Sequence, residues 1–258
     1  MKANYDMTKA KRGAVLSPSG KTRITIYLDD DVLEAFRRRA EKEGRGYQTL
    51  INETLKASTQ QADIAETLRQ PRVWLSILLF ILYVGAEVSL GTWAYTLLTE
   101  SRQIAPQTAG LLTGSYWASF TIGRVVAGLF TRKVSTHALL LGSITGALAG
   151  AALLWWNPFS LSSLFGVALV GFAIAPIFPA LVSETSLRVG TRFAANTIGM
   201  QMSGAALGIA IIPSLVGVLA RNISLEVIPV CLFALFAALL GLYLASVLRK
   251  TADLSNRS

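Results

Sequence analysis

Acidic side chains are rare in the apolar part of this chain, and Glu87 lies deepest within an apolar segment. A charge at the centre of a bilayer costs about 2.5–3.5 kcal/mol even on gentle scales, so an ionisable residue there usually has a function. Tyr83 and Trp93 lie within two helical turns of Glu87. We interpret these three residues as candidates for a cavity in which Glu87 binds a polar solute or exchanges a proton. A structural hydrogen bond from Glu87 to a neighbouring helix is the alternative.

A second group of polar side chains lies in the fifth apolar segment, at Asn196, Gln201 and Ser203. Asn196 and Gln201 are further candidates for the solute cavity. Hydrogen bonds between helices are the alternative interpretation, because polar side chains also join helices to one another within membranes.

Long apolar elements are needed to position these side chains, and six apolar segments follow one another between Val73 and Leu248. A transmembrane helix needs about 20 mostly apolar residues, because a hydrocarbon core of roughly 30 Å is crossed at about 1.5 Å per residue. Each of the six segments is long enough to cross. The predicted spans are residues 73–98, 107–131, 137–156, 160–184, 193–220 and 225–248.

Charge is concentrated in the first 72 residues, which hold 14 of the 24 Lys and Arg and 10 of the 15 Asp and Glu. The chain therefore consists of a small polar module followed by a membrane module. The predicted parts are a basic flexible arm (1–20), a small polar domain (21–58), a linker (59–72), a six-helix membrane domain (73–250) and a polar tail (251–258).

Residue types that carry catalysis or bind metals are scarce. The single cysteine, Cys231, lies within the last apolar segment, so the sequence offers neither a disulfide framework nor a metal-ligand cluster. It also lacks a nucleophile-base pair and a phosphate-cradling glycine loop. We therefore predict that the protein is not an enzyme and needs no cofactor.

Basic residues flank the predicted spans unevenly. If the N-terminus is cytoplasmic, only Arg102 and Arg221 lie on the opposite side of the membrane. The cytoplasmic ends then carry Arg69, Arg72, Arg132, Lys133, Arg188, Arg192, Arg249 and Lys250. The positive-inside rule thus predicts a multi-pass protein of the cell inner (plasma) membrane with both termini cytoplasmic.

The polar domain begins with the pattern of a strand and continues with two amphipathic helices. In KTRITIYL, Ile24 and Ile26 alternate with Arg23, Thr25 and Tyr27, which is the period-2 signature of a strand. A lone strand with two short helices cannot bury its apolar faces, so we expect this domain to dimerise. Residues 4–57, from YDMTKAKRG through KTRITIYLDDDVLEAFRRR to GRGYQTLINETL, resemble the ribbon-helix-helix repressors and antitoxins of the CopG and BrnA type.

This resemblance implies a two-stranded ribbon that enters the major groove of DNA, with Arg23, Thr25 and Tyr27 contacting base edges. Such a role suits Arg, which bonds guanine bidentately. The resemblance also implies a DNA phosphate at the start of the second helix, where free N–H groups and the helix dipole favour an anion. The residues at that position are Gly46, Tyr47, Gln48 and Thr49. Antitoxins of this type use a terminal extension to bind a toxin, and the arm of residues 1–20 is the candidate extension.

The six spans resemble the C-terminal half of a major facilitator superfamily transporter of the fucose-permease-like type. The resemblance covers about residues 66–250 and is carried by YVGAEVSLGTWAYTLL, GRVVAGLFTRK and GFAIAPIFPALVSE. It implies an all-α membrane fold and a small polar, sugar-like solute, and protons are a candidate coupling ion because Glu87 could exchange one. It also implies a structural latch between Arg124 and an acidic partner, for which Glu184 is the candidate. Pairing of Glu184 with Arg188, one turn later, is the alternative.

A complete transporter of this superfamily has two six-helix halves, and its solute site lies between them. Here one such half follows the antitoxin-like module, so we expect two copies to meet as a homodimer about a two-fold axis that the ribbon-helix-helix dimer shares. Two alternatives remain open. The spans only anchor an antitoxin or transcriptional regulator to the lipid bilayer, or the chain is a non-functional fusion or a truncated transporter fragment.

Overall fold

The computed structural model describes residues 24–59, 62–130, 134–159 and 161–255. Contacts divide the chain into two compact units, Met1–Ser58 and Thr59–Ser258. Most of the described residues are helical. The all-α membrane fold that the sequence predicts is therefore confirmed.

Two helices form the described part of the first unit, α1 (Asp30–Glu43) and α2 (Tyr47–Thr59). The acidic residues in the first turn of α1, Asp30 and Asp31, interact favourably with the positive end of the helix dipole. Gly44 ends α1 in the left-handed region at φ 63°, where a residue with a Cβ atom would be strained. Ala40 and Leu50, one on each helix, are the buried apolar residues. The predicted order of helix, turn and helix is confirmed.

Residues 24–28 precede α1 without forming a strand, and no part of the described chain is a β-strand. Ile24 and Ile26, which we expect on the buried face of a strand, are 68% and 50% exposed. A strand exists only when a second strand supplies hydrogen bonds, and the predicted ribbon takes that second strand from another copy. Residues 24–28, the described part of the predicted strand, thus form no strand in the single chain, while pairing between two copies stays a prediction.

The second unit is a bundle of long helices. Its helices are α3 (Ile64–Leu68), α4 (Pro71–Thr96), α5 (Pro106–Phe130), α6 (Thr136–Trp156), α7 (Ser162–Ile174), α8 (Ile177–Ser183), α9 (Thr185–Val189), α10 (Thr191–Asn222) and α11 (Val227–Ser255). A π-helical turn, Leu97–Ser101, extends α4. Helix α4 packs against α10 and α11, α5 packs against α7, and α6 packs against α7 and α11. The core between them is apolar and includes Leu79, Phe80, Tyr116, Ile144, Val170 and Phe236.

Five stretches of the described chain are long and apolar enough to cross a membrane. They are Pro71–Ser101, Thr136–Trp156, Ser162–Ser183, Thr191–Asn222 and Val227–Val247. The predicted second span forms α5, whose 25 residues measure about 37 Å. However, α5 is not among the five, and it contains polar residues such as Gln107 and Arg124. Five of the six predicted spans are therefore long and apolar enough to cross a membrane, and the crossing of the membrane by α5 stays a prediction.

Helix α10 approaches α4 closely because glycines line the contact. A Cβ atom added at Gly208 would lie 2.6 Å from the carbonyl oxygen of Ile81, and one added at Gly204 would lie 2.8 Å from a side-chain carbon of Ile77. Small residues are the usual means by which helices approach each other in a membrane. This contact fixes α10 against the helix that carries Glu87.

Candidate functional site

Glu87 lies on α4 at the point where this helix meets α5. Its side chain is half-buried, and the hydroxyl of Tyr116 on α5 donates a hydrogen bond of 2.8 Å to the Glu87 backbone carbonyl. Tyr116 is fully buried, so the two helices are held together at this level. Within the described part of the chain, no ion pair involves the Glu87 carboxylate. A half-buried carboxylate without an ion-pair partner among the described residues is suited to bind a hydrogen-bonding solute or a proton.

Tyr83 lies one turn before Glu87 and is fully buried. Its hydroxyl makes no hydrogen bond of good geometry to any described residue, although the Glu87 carboxylate is near enough to interact with it. The Tyr83 ring packs beside Phe178, with ring centroids 6.4 Å apart. Because a buried hydroxyl without a partner is unfavourable, the Tyr83 hydroxyl is suited to bond a group that enters from outside.

Arg124 supplies a positive charge near these two residues. Its guanidinium lies over the ring of Phe120, 4.3 Å from the centroid, and its charge acts on both Glu87 and Tyr83. The side chain is exposed. No ion pair between Arg124 and Glu184 occurs among the described residues, so the latch that the resemblance implies stays a prediction.

A cavity of about 730 Å³ lies next to this cluster, between α5, α6 and α8. Its lining includes Arg124, Gly128, Pro176, Phe178, Pro179 and Ser183. Arg124 and Phe178 therefore belong both to the cavity wall and to the surroundings of Glu87 and Tyr83. The volume falls within the range of about 300–1,000 Å³ that is typical of small-molecule sites, and a mostly apolar wall with few polar groups is also typical.

The other predicted cavity residues bond protein groups instead. The Trp93 indole donates a 2.9 Å hydrogen bond to the carbonyl of Pro213 on α10. Gln201 is fully buried and bonds the hydroxyl of Thr185 at 3.0 Å. The Asn196 amide donates to the carbonyl of Ala62 at 2.8 Å. The bonds of Asn196 and Gln201 are of the kind that the alternative interpretation describes, and the assignment of all three residues to the solute cavity stays a prediction.

Glu184 pairs with Arg188, as the alternative interpretation states. The guanidinium of Arg188 lies 3.3 Å from a Glu184 oxygen, and the Tyr243 hydroxyl lies 3.3 and 3.4 Å from the two carboxylate oxygens. Tyr243 also lies 2.8 Å from the Nδ1 atom of His137. Burial lowers the pKa of Arg188 from its ordinary value, and the charge of Glu184 opposes this shift. This network joins α4, α6, α9 and α11, since Arg188 also bonds Ser76 at 3.4 Å.

A second network, which the sequence analysis did not identify, lies at Arg102. The side chain of Arg102 is only 6% exposed, and it donates to Glu226, to the hydroxyl of Ser163 at 2.8 Å and to the carbonyl of Leu154 at 2.7 Å. The Arg102 guanidinium and the Ser101 hydroxyl lower the pKa of the Glu226 carboxyl. The sequence did contain one indication of this pairing, because Arg102 and Glu226 both lie beside ends of predicted spans on the same predicted side of the membrane.

The predicted DNA contacts lie in the first unit. Thr25 and Tyr27 are exposed, and Arg23 lies outside the described residues. At the start of α2, Gly46, Gln48 and Thr49 are exposed, while Tyr47 is half-buried with Arg37 over its ring. These positions are accessible to a ligand, but their contact with DNA stays a prediction.

A metal site is not indicated within the described ranges. No group of three or more His, Cys, Asp or Glu side chains in residues 24–59, 62–130, 134–159 and 161–255 is arranged to hold a metal ion. The arrangement around Glu87 is instead suited to binding through hydrogen bonds and charge.

Comparison with known proteins divides the chain in the same way. The model of the Major Facilitator Superfamily matches residues 63–257. The model described as "BrnA antitoxin of type II toxin-antitoxin system" matches residues 2–59. The resemblances of both parts of the sequence are thereby confirmed.

Individual relatives match the second part. Bypass of stop codon protein 6 from Saccharomyces cerevisiae (strain ATCC 204508 / S288c) is 26% identical over 197 residues, which is 72% of this chain and 39% of that protein. Major facilitator superfamily domain-containing protein 4A from Xenopus tropicalis is 28% identical over 165 residues, 61% of this chain and 32% of that protein. Sodium-dependent glucose transporter 1 from Homo sapiens is 28% identical over 176 residues, 64% of this chain and 33% of that protein. The chain thus spans roughly a third of the length of these relatives.

Proposed function

The chain belongs to the Major Facilitator Superfamily, and on that basis we propose that it transports a small, polar, sugar-like solute as a homodimer. It is a multi-pass membrane protein and several of its relatives are named as transporters, so a transport-type function is the premise. The solute, its coupling ion and the dimer are the parts that we propose.

The observation that carries the proposal is the cluster of Tyr83, Glu87 and Arg124 beside the 730 Å³ cavity. A sugar presents several hydroxyl groups, each of which can donate and accept hydrogen bonds. The Glu87 carboxylate accepts hydrogen bonds, Arg124 donates them, and the unpaired Tyr83 hydroxyl can do either. Phe178 and Phe120 add aromatic surface beside these groups, which suits the apolar face of a sugar ring. Several relatives are named as sodium-dependent glucose transporters, which supports a sugar-like solute.

The coupling ion follows from the same carboxylate. We propose that Glu87 exchanges a proton during transport, because it is a half-buried carboxyl within the cluster. The relatives named as sodium-dependent make sodium the competing ion. Solute uptake must therefore be measured separately under an imposed proton gradient and under an imposed sodium gradient.

The homodimer would supply the second wall of the solute site. The two halves of a major facilitator transporter share one orientation and are related by an axis along the membrane normal, so two copies of one half can meet about a true two-fold axis. Helix α5 supports this arrangement because it is less apolar than the five spans, and added Cβ atoms at Gly110, Gly114 and Gly128 would meet nothing within 4 Å. Glycines with open space around them let a second helix approach closely within a membrane. In this arrangement both termini lie in the cytoplasm at the inner (plasma) membrane.

Uptake by the purified protein in liposomes tests the proposal. Radiolabelled monosaccharides would be offered to proteoliposomes under a proton gradient, a sodium gradient or neither, with protein-free liposomes as the control. We expect accumulation of at least one sugar above the control, driven by the proton gradient. If no sugar accumulates above the protein-free control under any gradient, the transport proposal is wrong.

The antitoxin match favours a second candidate function, that of a membrane-anchored regulator. In this alternative the exposed residues Thr25 and Tyr27, with Arg23, contact DNA, and the first unit also binds a toxin. The membrane helices would then act only as an anchor. Sequence-specific DNA binding by full-length protein that shows no uptake would favour this function over transport.

A further inference from the structure

One face of the short helix α3, together with the residue that starts the described linker, is fixed to the bundle. The backbone N–H of Ala62 donates a 3.1 Å hydrogen bond to the carbonyl of Arg192, and the Asn196 amide donates to the Ala62 carbonyl at 2.8 Å. The same amide reaches the hydroxyl of Thr67 at 3.2 Å. Glu66 pairs with Arg192 at 2.8 Å. Ala62 and Thr67 are buried, so these bonds hold one face of α3 against the start of α10.

The other face of α3 carries large apolar side chains that are exposed. Ile64 is 59% and Leu68 is 39% exposed, and residues four apart lie on the same face of a helix. Trp74 on α4 is 55% exposed, and its indole N–H donates a 2.8 Å hydrogen bond to the Leu68 carbonyl, so the indole lies beside the end of α3. We refer to Ile64, Leu68 and Trp74 as the α3 patch.

The α3 patch adjoins a helix that is long enough to pass through both headgroup layers of a membrane. The stretch Pro71–Ser101 has 31 residues, which at about 1.5 Å per residue measure about 46 Å. The hydrocarbon core is only about 30 Å thick, and the bilayer with its headgroups about 40–45 Å. Trp74 is the fourth residue of α4, so it falls at the headgroup level, where Trp is enriched. Leu78, one turn later, is also exposed and continues the apolar surface into the span.

We propose that the α3 patch lies in the headgroup layer of the bilayer, on the side of the membrane where α4 begins. In this position α3 anchors the linker to the lipid surface. An amphipathic helix at this level buries its apolar face about 5–10 Å into the boundary between headgroups and acyl chains. The anchor serves the chain equally as a transporter and as a membrane-anchored regulator.

Two features favour lipid over a second copy of the chain as the occupant of this surface. The patch is continuous, through Trp74 and Leu78, with the apolar surface of a stretch that is long and apolar enough to cross a membrane. A separate helix of five residues is unstable in water, but the bonds to α10 and the attachment to α4 already hold α3 in one orientation. The lipid surface therefore meets a preformed apolar face.

Spin labelling of the full-length protein in liposomes of phosphatidylcholine and phosphatidylglycerol tests the proposal. In a Cys231→Ser background, a single nitroxide would be attached at Ile64→Cys, Leu68→Cys or Arg69→Cys. Collision with oxygen, which dissolves in lipid, and with a water-soluble nickel chelate reports depth, and lipids with nitroxides on the headgroup or acyl chain calibrate the scale. Arg69 is the matched control, because it is exposed and lies about 100° further around the helix than Leu68.

We expect the labels at positions 64 and 68 to collide more with oxygen than with nickel, at a depth about 5–10 Å below the headgroup standard. The label at position 69 should collide more with nickel, and each variant should keep the Tm of the parent protein. The proposal is overturned if positions 64 and 68 match the control at position 69. It is also overturned if both positions are shielded from both reagents, because protein rather than lipid then covers the patch.

Photolabelling of the parent protein gives a measurement that needs no substitution. A phosphatidylcholine with a diazirine near the start of its acyl chain would be activated by light, and the adducts located by mass spectrometry. Trypsin cleaves after Lys56 and Arg69, so residues 57–69 form one peptide that contains α3. Lipid adducts on Ile64 or Leu68 would support the proposal even if a cysteine variant fails to fold. Adducts on peptides of the spans without any on residues 57–69 would overturn it.

Discussion

Replacing Arg102 by Gln should destabilise the second unit by about 3 kcal/mol. Arg102 donates to the Ser163 hydroxyl and to the Leu154 carbonyl, and a hydrogen bond from a charged group is worth about 1.5–3 kcal/mol. The lower value for each of these two bonds sums to about 3 kcal/mol. The pair with Glu226 adds little, because the Glu226 side chain is 44% exposed and its charge can be hydrated by solvent. For a unit of this size 1 kcal/mol corresponds to about 2–4 °C, so Tm should fall by about 6–12 °C.

The assay is thermal unfolding of full-length protein in detergent, followed by tryptophan fluorescence. Arg221→Gln is the matched control. Arg221 is exposed, and we predict that it lies on the same side of the membrane as Arg102. Its Tm should stay within about 2 °C of the parent protein, as surface changes usually do. If Arg102→Gln and Arg221→Gln shift Tm equally, the Arg102 network does not hold these helices together.

Three further predictions concern pH, helix packing and the first unit. The pKa of Glu226 is lower in the folded protein than the unfolded carboxyl value of about 4.3. The stability that this shift contributes is fully present above the unfolded pKa and is lost as pH falls through the folded-state pKa. On acidification below about pH 5, the Tm of Glu226→Gln should therefore fall less than the Tm of the parent protein. Gly208→Ala should cost about 1–3 kcal/mol because its Cβ would meet the α4 backbone, whereas Gly142→Ala on α6, with open space, should leave Tm unchanged or slightly higher; equal shifts would contradict the packing account. A fragment of residues 1–60 should be dimeric by light scattering and should bind duplex DNA less tightly as the salt concentration rises. In this fragment Arg23→Ala should reduce discrimination between DNA sequences more than it reduces non-specific affinity. A monomeric fragment that binds no DNA at low salt would refute the DNA-binding prediction.

Helix positions followed well from the sequence because local rules decide them. Pro71 is the first residue of α4, where its missing N–H costs nothing, and Gly44 ends α1 in the left-handed region. The predicted spans 107–131 and 137–156 form Pro106–Phe130 and Thr136–Trp156. The residues at helix ends and the lengths of the apolar segments were sufficient to predict the positions of these helices. Helix α11, however, continues to Ser255, into the stretch that we predicted as a polar tail.

Partners between distant elements did not follow from the sequence. Arg102 and Glu226 are 124 residues apart, and no periodicity within one helix indicates which loops meet. Gln201 has the residue type of a solute contact, yet it bonds Thr185 because α9 lies against α10. His137 on α6 likewise bonds Tyr243, which lies 106 residues later on α11. Composition places polar groups on an element, whereas only the packing of helices decides what each group contacts.

Uptake by a Glu87→Gln protein tests the central proposal most directly. The substitution keeps the size of the side chain and removes its charge, so folding should be retained and Tm should match the parent protein. We expect solute uptake in liposomes to fall at least about tenfold, the effect of losing one charge-assisted hydrogen bond. Glu100→Gln is the control, because it removes an exposed carboxylate from the π-helical extension of the same helix, and its uptake should equal that of the parent. Equal uptake by Glu87→Gln and the parent protein would contradict the assignment of Glu87 to the solute site.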